Sequence, residues 1–213
     1  MKDLILVIDT SSMTGLCAIA DSSRKILAKK YVNAKSSHSE MMFVAVQDVL
    51  KQVGADIKDV GTIVYTAGPG SFTGLRIAYS AVKGFAMALN VKTHGVSTLK
   101  ALLYNIKDES TYKCSLIQGT VGEVYAFMDG EANYPVQDVV DKLKKMKTKV
   151  TCVGSGALLY KEQLLSLGNV IVPEDEASHI VAPEGVLSLL DKENIDGINY
   201  LKASYAERKK EKR

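Results

Sequence analysis

The sequence predicts an α/β protein built from two lobes. In residues 1–101, apolar runs and turn residues alternate in the order strand, strand, strand, helix, strand, helix, strand, which is the order of a ribonuclease H-like lobe. A shorter unit from about residue 102 also opens with an apolar hairpin around a polar turn. A chain of 213 residues that is 46% hydrophobic can form two lobes with cores of their own. We therefore expect an N-terminal lobe at 1–101 and a smaller, abbreviated C-terminal lobe at 102–213, with a last helix (about 198–213) that can pack back on the first lobe.

The elements of the first lobe follow from its apolar runs. Three strands are predicted in DLILVIDTSS, GLCAIAD and KILAKKYV, and two more in VGTIVYTAG and VKTHGVS. A helix is predicted in SHSEMMFVAVQDVLKQVG, capped by Ser36, Ser37 or Ser39 and ended by Gly54. The second helix follows a glycine-rich turn, in AGPGSFTGLRIAYSAVKGFAMALN.

The second lobe shows the same alternation with shorter elements. A hairpin is predicted in YKCSLIQGT and EVYAFMDG, and single strands in KVTCVGSG and NVIVP. Helices are predicted in VQDVVDKLKKMK, ALLYKEQLLSLG and APEGVLSLLDKE, the last with proline near its start. A final surface helix is predicted in YLKASYAERKKEKR.

Charge and cysteine usage exclude several classes of protein. The net charge is +3, but residues 208–213 carry five positive charges and one negative, so the remaining chain has 3 − 4 = −1. This distribution does not indicate a broad nucleic-acid-binding face. The tail is typical of a solvated helix end, with weak contact to phosphates as the alternative. The three cysteines lie singly in apolar runs, which indicates reduced core thiols, and the apolar run LILVI is too short for a signal peptide or a membrane span, so we expect a cytoplasmic protein.

The glycine turn before the second helix lies where a phosphate-binding loop would lie, between a strand and a helix N-terminus. Its spacing does not fit one. Five residues past Gly68 stands Thr73, and no lysine occurs between Ala67 and Tyr79, so the sequence is not a Walker A loop. The third glycine of a dinucleotide fingerprint comes one residue late, at Gly74. Two interpretations stay open: generic anion binding, or a tight turn in which Thr73 caps the helix.

The helix itself carries a stripe of small residues. On a helical wheel Gly74, Ala78, Ala81, Gly84 and Ala88 share one side, with Leu75, Val82, Phe85 and Leu89 beside them and Arg76, Ser80 and Lys83 opposite. Two glycines inside a helix cost about 1 kcal/mol each relative to alanine, so close approach of another backbone is the better explanation. The stripe is either intramolecular core or core combined with a partner interface. We favour the second, with an interface formed by Gly74, Arg76, Ala78, Ala81, Val82, Gly84, Phe85 and Ala88.

Other candidate chemistry is weaker. Asp9, Thr10, Ser11 and Ser12 end the first strand and could form a vestigial phosphate turn that holds Mg²⁺ and phosphate, although the same residues make good turns. The three histidines have no partners at metal-ligand spacing, and no serine nucleophile motif is present. We therefore predict no catalytic residues, no metal site and no resident cofactor.

Several strings, in order, resemble the bacterial TsaB (YeaZ) family. They are ILVIDTSS, HSEMM, AGPGSFTGLRIAYSAVKGFAMAL, HGVSTLKAL, GEVYAF, VGSGA and YLKASYAE, and they span nearly the whole chain. The resemblance implies a two-lobed fold of the actin-like, hexokinase-like ATPase class. It also implies a role in forming threonylcarbamoyladenosine next to the anticodon of tRNAs that read codons beginning with A.

The resemblance also implies partners. In that pathway a TsaD subunit carries the metal and the transferase chemistry, TsaB pairs with it as a non-catalytic scaffold, and the small ATPase TsaE joins them. TsaB also forms a homodimer when alone, nucleotide can lie at the interface with a partner, and any tRNA contact is indirect or weak. One departure stands out: Gln118, Gly119 and Thr120 replace the Asp-Ala-Arg of the family's usual Ile-Asp-Ala-Arg-Arg-Gly-Glu-Val-Tyr, so an acid and a base of this turn are missing.

Two functions remain open on the sequence. The first is the non-catalytic partner of a TsaD-type subunit, for which the stripe predicts that a bulky residue at Gly84 or Ala78 weakens the complex and leaves the fold intact. The second is an independent ATP-binding phosphotransferase of the actin-like superfamily, which Asp9 and the Gly-Ser-Gly turn at 154–156 suggest.

Overall fold

A computed structural model describes residues 3–33 and 38–201 of the chain. The first lobe is a five-stranded sheet in the order β3-β2-β1-β4-β5. The strands β1, β2 and β3 form antiparallel pairs, whereas β4 and β5 run parallel to β1. The strands are β1 (Leu4–Asp9), β2 (Thr14–Ala20), β3 (Ile26–Asn33), β4 (Val60–Gly68) and β5 (Lys92–Ser97).

Both faces of this sheet are covered, which explains its nearly continuous apolar strands. In β1, Leu6 and Ile8 point into a cluster with the helices α1 (His38–Gln52) and α2 (Phe72–Leu89). Ile5 and Val7 point to the other face, into a cluster that also receives α3 (Thr98–Leu103) and residues of the second lobe. The two lobes therefore share one of their hydrophobic cores.

The second lobe repeats the topology of the first. Its sheet order is β10-β9-β6-β7-β8, which is the first order read from the other end, with the same antiparallel and parallel pairs. Its strands are β6 (Tyr112–Gln118), β7 (Glu123–Phe127), β8 (Glu131–Pro135), β9 (Val150–Val153) and β10 (Val170–Ile171). The helices are α4 (Val136–Lys144), α5 (Ser155–Leu159), α6 (Lys161–Leu165) and α7 (Pro183–Leu187), with 3-10 turns at Ile57–Asp59 and Glu176–His179.

The predicted fold class, two ribonuclease H-like lobes with the second abbreviated, is confirmed. The elements of the second lobe are shorter than their counterparts in the first. Strand β10 has 2 residues where β5 has 6, and helix α4 has 9 where α1 has 15. The single helix predicted in ALLYKEQLLSLG is two five-residue helices, α5 and α6. The sequence analysis missed α3 and the edge strand β8. Ser36, Ser37 and the predicted surface helix after Leu201 lie outside the described residues.

After β10 the chain returns to the first lobe. Helix α7 packs on the same sheet face as α3, and its Val186 and Leu187 are buried in the shared core. The residues 191–201 that follow, named here the C-terminal strap, run along the ends of β4 and β5. Residues 183–201 of the predicted C-terminal unit thus lie against the first lobe. Among the described residues, no helix combines the length and apolar character needed to cross a membrane.

Backbone hydrogen bonds fix the strap in place. The amide of Ile195 donates to the carbonyl oxygen of Gly95 at 2.8 Å, and the amide of Asn199 donates to the carbonyl oxygen of Ala67 at 2.7 Å. The buried Tyr65 hydroxyl donates to the Ile195 and Gly197 carbonyl oxygens. Because each of these hydrogen bonds involves backbone atoms of the strap, the strap backbone must lie close to β5.

Gly95 allows that path, and we predict that Gly95→Ala destabilises the protein. A β-carbon at this position would lie 2.2 Å from the Ile195 carbonyl oxygen, so the strap or β5 must shift. We expect the free energy of unfolding to fall by about 1–3 kcal/mol, measured by urea denaturation. The control is Gly130→Ala, because nothing lies within 4 Å of a β-carbon there. Equal stability of the two variants would contradict the packing described here.

Candidate partner-binding groove and interlobe cleft

The glycine turn packs against the end of the first strand. A β-carbon on Gly70 would lie 2.4 Å from the Ser11 carbonyl oxygen, and one on Gly74 would lie 2.0 Å from the Thr10 carbonyl oxygen. Hydrogen bonds close the same contact: the Ser71 amide donates to Ser11 O at 2.7 Å, and the Thr10 hydroxyl donates to Gly74 O at 2.7 Å. Protein backbone therefore occupies the space in front of this helix, where a phosphate would lie in a phosphate-binding loop.

The cap of α2 differs from the prediction. The Ser71 hydroxyl accepts a hydrogen bond from the Gly74 amide at 3.2 Å, so Ser71 is the N-cap, whereas Thr73 is the second residue of the helix and is exposed. The predicted cap at Thr73 is therefore wrong by two residues. The shift follows from the Ser71–Ser11 contact, because that contact fixes Ser71 at the extended position from which its side chain can cap.

The stripe of small residues divides into two parts with different environments. Gly74, Ala78 and Val82 are buried inside the first lobe, so they are unavailable to a partner. Replacing Ala78, which is 0% exposed, with a bulky residue would disrupt the core rather than leave the fold intact. This corrects the sequence-based interface. By contrast, Gly84 is exposed, and nothing lies within 4 Å of a β-carbon built there.

The exposed part of the stripe borders an apolar groove between α1 and α2, named here the α1–α2 groove. Its volume is about 690 Å³. Phe43 from α1 meets Phe85 from α2 edge to face, with ring centroids 5.6 Å apart. Phe43 and Phe72 are 46% and 39% exposed, respectively. The lining residues are Phe43, Phe72, Thr73, Arg76, Ile77, Ser80, Ala81, Gly84 and Phe85. Ala88 lies beyond this lining, exposed near the end of α2.

A cleft of about 450 Å³ separates the two lobes. Its lining combines hydroxyl groups, one amide side chain, one carboxylate, one imidazole and apolar side chains, and among the described residues it includes neither lysine nor arginine. The residues are Ser11, Ser12, Met13, Thr14, Ser71, Ile117, Gln118, Gly119, Ser155, Leu158, Glu176, His179 and Ile180. Ser11 and Ser12 of the predicted phosphate turn line this cleft, whereas the second-lobe residues that face them were not predicted from the sequence.

Asp9 lies behind this cleft rather than in it. Its side chain is 1% exposed, and its Oδ1 accepts hydrogen bonds from the Ser11 amide and the Thr66 hydroxyl. Its Oδ2 is buried without a hydrogen-bond partner among the described residues. Burial raises the pKa of the Asp9 carboxyl, and the hydrogen bonds from Ser11 and Thr66 oppose the rise. In this arrangement the carboxyl braces the turn and does not reach a ligand in the cleft.

The substituted turn of the second lobe is also closed on itself. The Gln118 amide donates to the Ser155 hydroxyl at 3.1 Å, and the Gly119 amide donates to the Glu123 carbonyl oxygen at 3.1 Å. The Thr120 hydroxyl donates to the Glu123 carboxylate. Gln118 and Gly119 thus border the cleft with neutral groups.

His179 and Gly154 of the Gly-Ser-Gly turn have structural contacts. His179 is buried, its Nδ1 accepts from the Gly154 amide at 3.1 Å, and its Nε2 donates to the Pro173 carbonyl oxygen at 2.9 Å. Gly154 has a φ of 98°, and a β-carbon there would lie 2.4 Å from the Leu116 carbonyl oxygen. Within residues 3–33 and 38–201, no three histidine, cysteine, aspartate or glutamate side chains form a metal-binding group.

Two lobes of matching topology, joined by a shared core and separated by a cleft, define the architecture of the actin-like and hexokinase-like ATPases. A family model described as TsaD, tRNA N6-adenosine threonylcarbamoyltransferase, matches residues 25–163. The chain is 28% identical over 170 residues to the tRNA threonylcarbamoyladenosine biosynthesis protein TsaB of Buchnera aphidicola (subspecies Schizaphis graminum), covering 73% of this chain and 80% of the relative. It is 27% identical over 224 residues to the TsaB protein of Bacillus subtilis, covering 96% of both.

A solved structure shows the same fold. It is an uncharacterised protein with similarity to peptidase YeaZ from Pseudomonas aeruginosa, with a TM-score of 0.71 and 23% identity, over 94% of this chain and 100% of that one. The chain belongs to the family that the TsaD model describes and, within it, to the TsaB (YeaZ) proteins.

The environment of Asp9 leads to a prediction about pH. Because its pKa is raised in the folded state, the native protein holds this proton more tightly than the unfolded chain does. Its contribution to stability is present below the unfolded pKa and is lost as the pH rises through the folded pKa, by about 1.4 kcal/mol for each unit of the rise. Asp9→Asn lacks this loss, so its free energy of unfolding relative to the unmodified chain should increase with pH.

The measurement is urea denaturation across pH 4 to 8. Asp138→Asn, which removes an exposed carboxylate from the start of α4, serves as the control for the loss of a carboxyl group outside the core. Only the change with pH of the difference in free energy of unfolding between Asp9→Asn and the unmodified chain is diagnostic. The absolute difference is not, because the asparagine amide leaves its own buried donor unpaired at every pH. If the free energy of unfolding varied with pH in the same way for Asp9→Asn and the unmodified chain, burial would not raise the pKa of Asp9.

Proposed function

We propose that this chain is a non-catalytic subunit that binds and supports a TsaD-type subunit in forming threonylcarbamoyladenosine next to the anticodon of tRNAs that read codons beginning with A. A role in the biosynthesis of tRNA threonylcarbamoyladenosine follows from its family. The supporting role, and the absence of catalysis by this chain, are the proposal. The observation that carries it is the α1–α2 groove.

The groove has the properties of a protein-binding surface. It combines the exposed rings of Phe43 and Phe72 and the partly buried ring of Phe85 with a helical glycine, Gly84. Among the described residues, nothing lies within 4 Å of a β-carbon built on this glycine. Monomeric proteins rarely expose a contiguous apolar surface of this kind without a function for it. A glycine in the middle of a helix costs about 1 kcal/mol, and Gly84 is not explained by contacts inside the chain. Close approach of a partner helix explains both features.

The geometry of the cleft supports the non-catalytic part of the proposal. Asp9, the carboxyl closest to a phosphate turn in sequence, is buried behind the cleft and hydrogen-bonded to Ser11 and Thr66. Within the described part of the chain, the cleft lining includes no lysine or arginine to balance phosphate charge, and it includes the Glu176 carboxylate. Backbone of residues 10 and 11 covers the N-terminus of α2. The chemistry is then carried by the TsaD-type partner, with no cofactor assigned to this chain.

Further parts of the proposal follow from the family resemblance. A TsaE-type ATPase joins the pair, the lone chain self-associates as a homodimer, and tRNA contact by this chain is indirect or weak. Location in the cytoplasm also stays a prediction.

Reconstitution tests the function as a whole. The purified pathway proteins are incubated with tRNA, threonine, bicarbonate and ATP, with and without this chain, and modified adenosine is measured by mass spectrometry of digested tRNA. We expect modification to depend on the chain. The alternative, an independent phosphotransferase, is tested by titrating the lone protein with Mg-ATP and measuring hydrolysis. Micromolar binding and turnover that Asp9→Ala abolishes would replace the proposal with that alternative.

Gly84 gives a sharper prediction with two opposite effects. Gly84→Ala should raise the free energy of unfolding of the lone chain by about 0.5–1 kcal/mol, because alanine favours the helix and the added carbon has open space. Gly84→Leu should leave the chain folded and weaken binding to the TsaD-type subunit by at least about tenfold, measured by calorimetry. The reason is that leucine fills the place that a close partner backbone would take.

The matched control for added bulk is Gly130→Leu, in an exposed turn of the second lobe with open space around it. It should bind the TsaD-type subunit and support tRNA modification as well as the unmodified chain does. If Gly84→Leu bound the TsaD-type subunit with unchanged affinity, the groove would not be the interface.

A further inference from the structure

We infer that the partner of the α1–α2 groove presents an apolar helix carrying one carboxylate, and that Arg76 is the residue that selects it. The inference rests on the proposed function and adds the chemistry of the binding partner. Its basis is the geometry of one guanidinium group at the edge of an apolar groove.

Arg76 is held in a fixed orientation by two contacts. Its guanidinium carbon lies 3.8 Å from the centre of the Phe72 ring, so one face of the group is covered. Its Nε donates a hydrogen bond to the Tyr200 hydroxyl at 3.1 Å. The rings of Phe72 and Tyr200 also contact each other, with centroids 5.3 Å apart. The long side chain of Arg76 is therefore ordered before any partner arrives, which lowers the entropy cost of using it.

The outer edge of this guanidinium has no partner within the part of the chain that the structure describes. Neither Nη group of Arg76 has a hydrogen bond or an ion pair there. Arg24, the other described arginine, differs because it is paired with Asp191. Lys83, on the same helix as Arg76, is paired with Asp196 at 3.4 Å. Arg76, which lines the groove, thus stands out as an ordered cation whose two Nη groups have no partner among the described residues.

An apolar partner without an acidic group would bind here at a cost. Covering Arg76 removes water from its Nη groups, and a buried cation left unpaired destabilises a complex strongly. A carboxylate of the partner can accept both Nη hydrogen bonds in the two-pronged geometry that arginine favours. The groove therefore fits a helix whose apolar side chains contact Phe43 and Phe85 and whose carboxylate reaches Arg76.

The same argument disfavours a second copy of this chain as the main occupant. Among the side chains that the structure describes, the lining of the groove includes no aspartate or glutamate. A symmetric dimer brings identical surfaces together, so each Arg76 would face an apolar lining and the other copy's cation. Unpaired like charges across an interface reduce its affinity. We therefore assign the groove to a different protein, the TsaD-type subunit, that supplies the acidic group.

The test compares binding of the TsaD-type subunit at several salt concentrations for four variants. Arg76→Gln removes the charge, Arg76→Lys keeps the charge without the fork of donors, and Tyr200→Phe keeps the ring on Phe72 without the hydroxyl that orients Arg76. Lys92→Gln is the control, because it removes an exposed cation that does not line the groove. Circular dichroism and thermal unfolding establish that each variant is folded.

We expect Arg76→Gln to raise the Kd at least about tenfold at low salt and to flatten its dependence on salt, because an ion pair has been removed. Arg76→Lys should give an intermediate loss and keep the salt dependence. Tyr200→Phe should give a smaller loss with the salt dependence unchanged, since only the orientation is relaxed. Lys92→Gln should match the unmodified chain.

The outcomes separate this inference from the proposed function. If Arg76→Gln bound with unchanged Kd and salt dependence while Gly84→Leu bound weakly, the groove would remain the interface and the carboxylate would be ruled out. If both variants bound normally, the groove itself would be excluded. Sedimentation of the lone chain covers the remaining case: a homodimer that Gly84→Leu abolishes, with heteromeric binding unaffected, would assign the groove to a second copy and overturn the inference.

Discussion

The contact between the N-terminal turn of α2 and the end of β1 is the constraint on which the rest of the structure depends. Gly74 and Gly70 allow backbone atoms of Thr10 and Ser11 to approach closer than any β-carbon would permit. This contact fixes the direction in which α2 leaves the sheet. The same contact covers the position at which related folds can bind phosphate. It also directs the C-terminal half of α2 outward, beside α1.

Much of the fold could be predicted because its signals are local. The apolar strands of the first lobe are buried on both faces, and such runs are hard to mistake once turn residues bound them. The elements that were missed lack a local signal. Helix α3 has 6 residues, too few to show a helical period, and the edge strand β8 is only half-buried, so its apolar alternation is weak. The break at Tyr160 likewise has no glycine or proline to mark it.

The candidate site was predictable only in part, for a different reason. A helical wheel can place Gly74 and Gly84 on one side of α2, but it does not say how far along the helix the core extends. In the structure Gly74 packs against the Thr10 carbonyl oxygen, whereas a β-carbon on Gly84 would have open space around it. The partner of Arg76 lies 124 residues away in sequence, at Tyr200, so no spacing rule could have joined them. The cleft lining likewise combines residues from both lobes that are distant in sequence.

The C-terminal strap connects these separate features. Asn199 donates from its backbone amide to Ala67 in the first lobe and from its side-chain amide to Glu131 in the second, at 2.7 and 3.2 Å. The next residue, Tyr200, orients Arg76 at the groove. The chemistry offered to a partner is therefore set by a segment that also holds the two lobes together. Because Asn199 and Tyr200 are adjacent in the strap, a change in the arrangement of the two lobes would displace the Tyr200 hydroxyl that orients Arg76. Neither Asn199 nor its partners Ala67 and Glu131 line the groove.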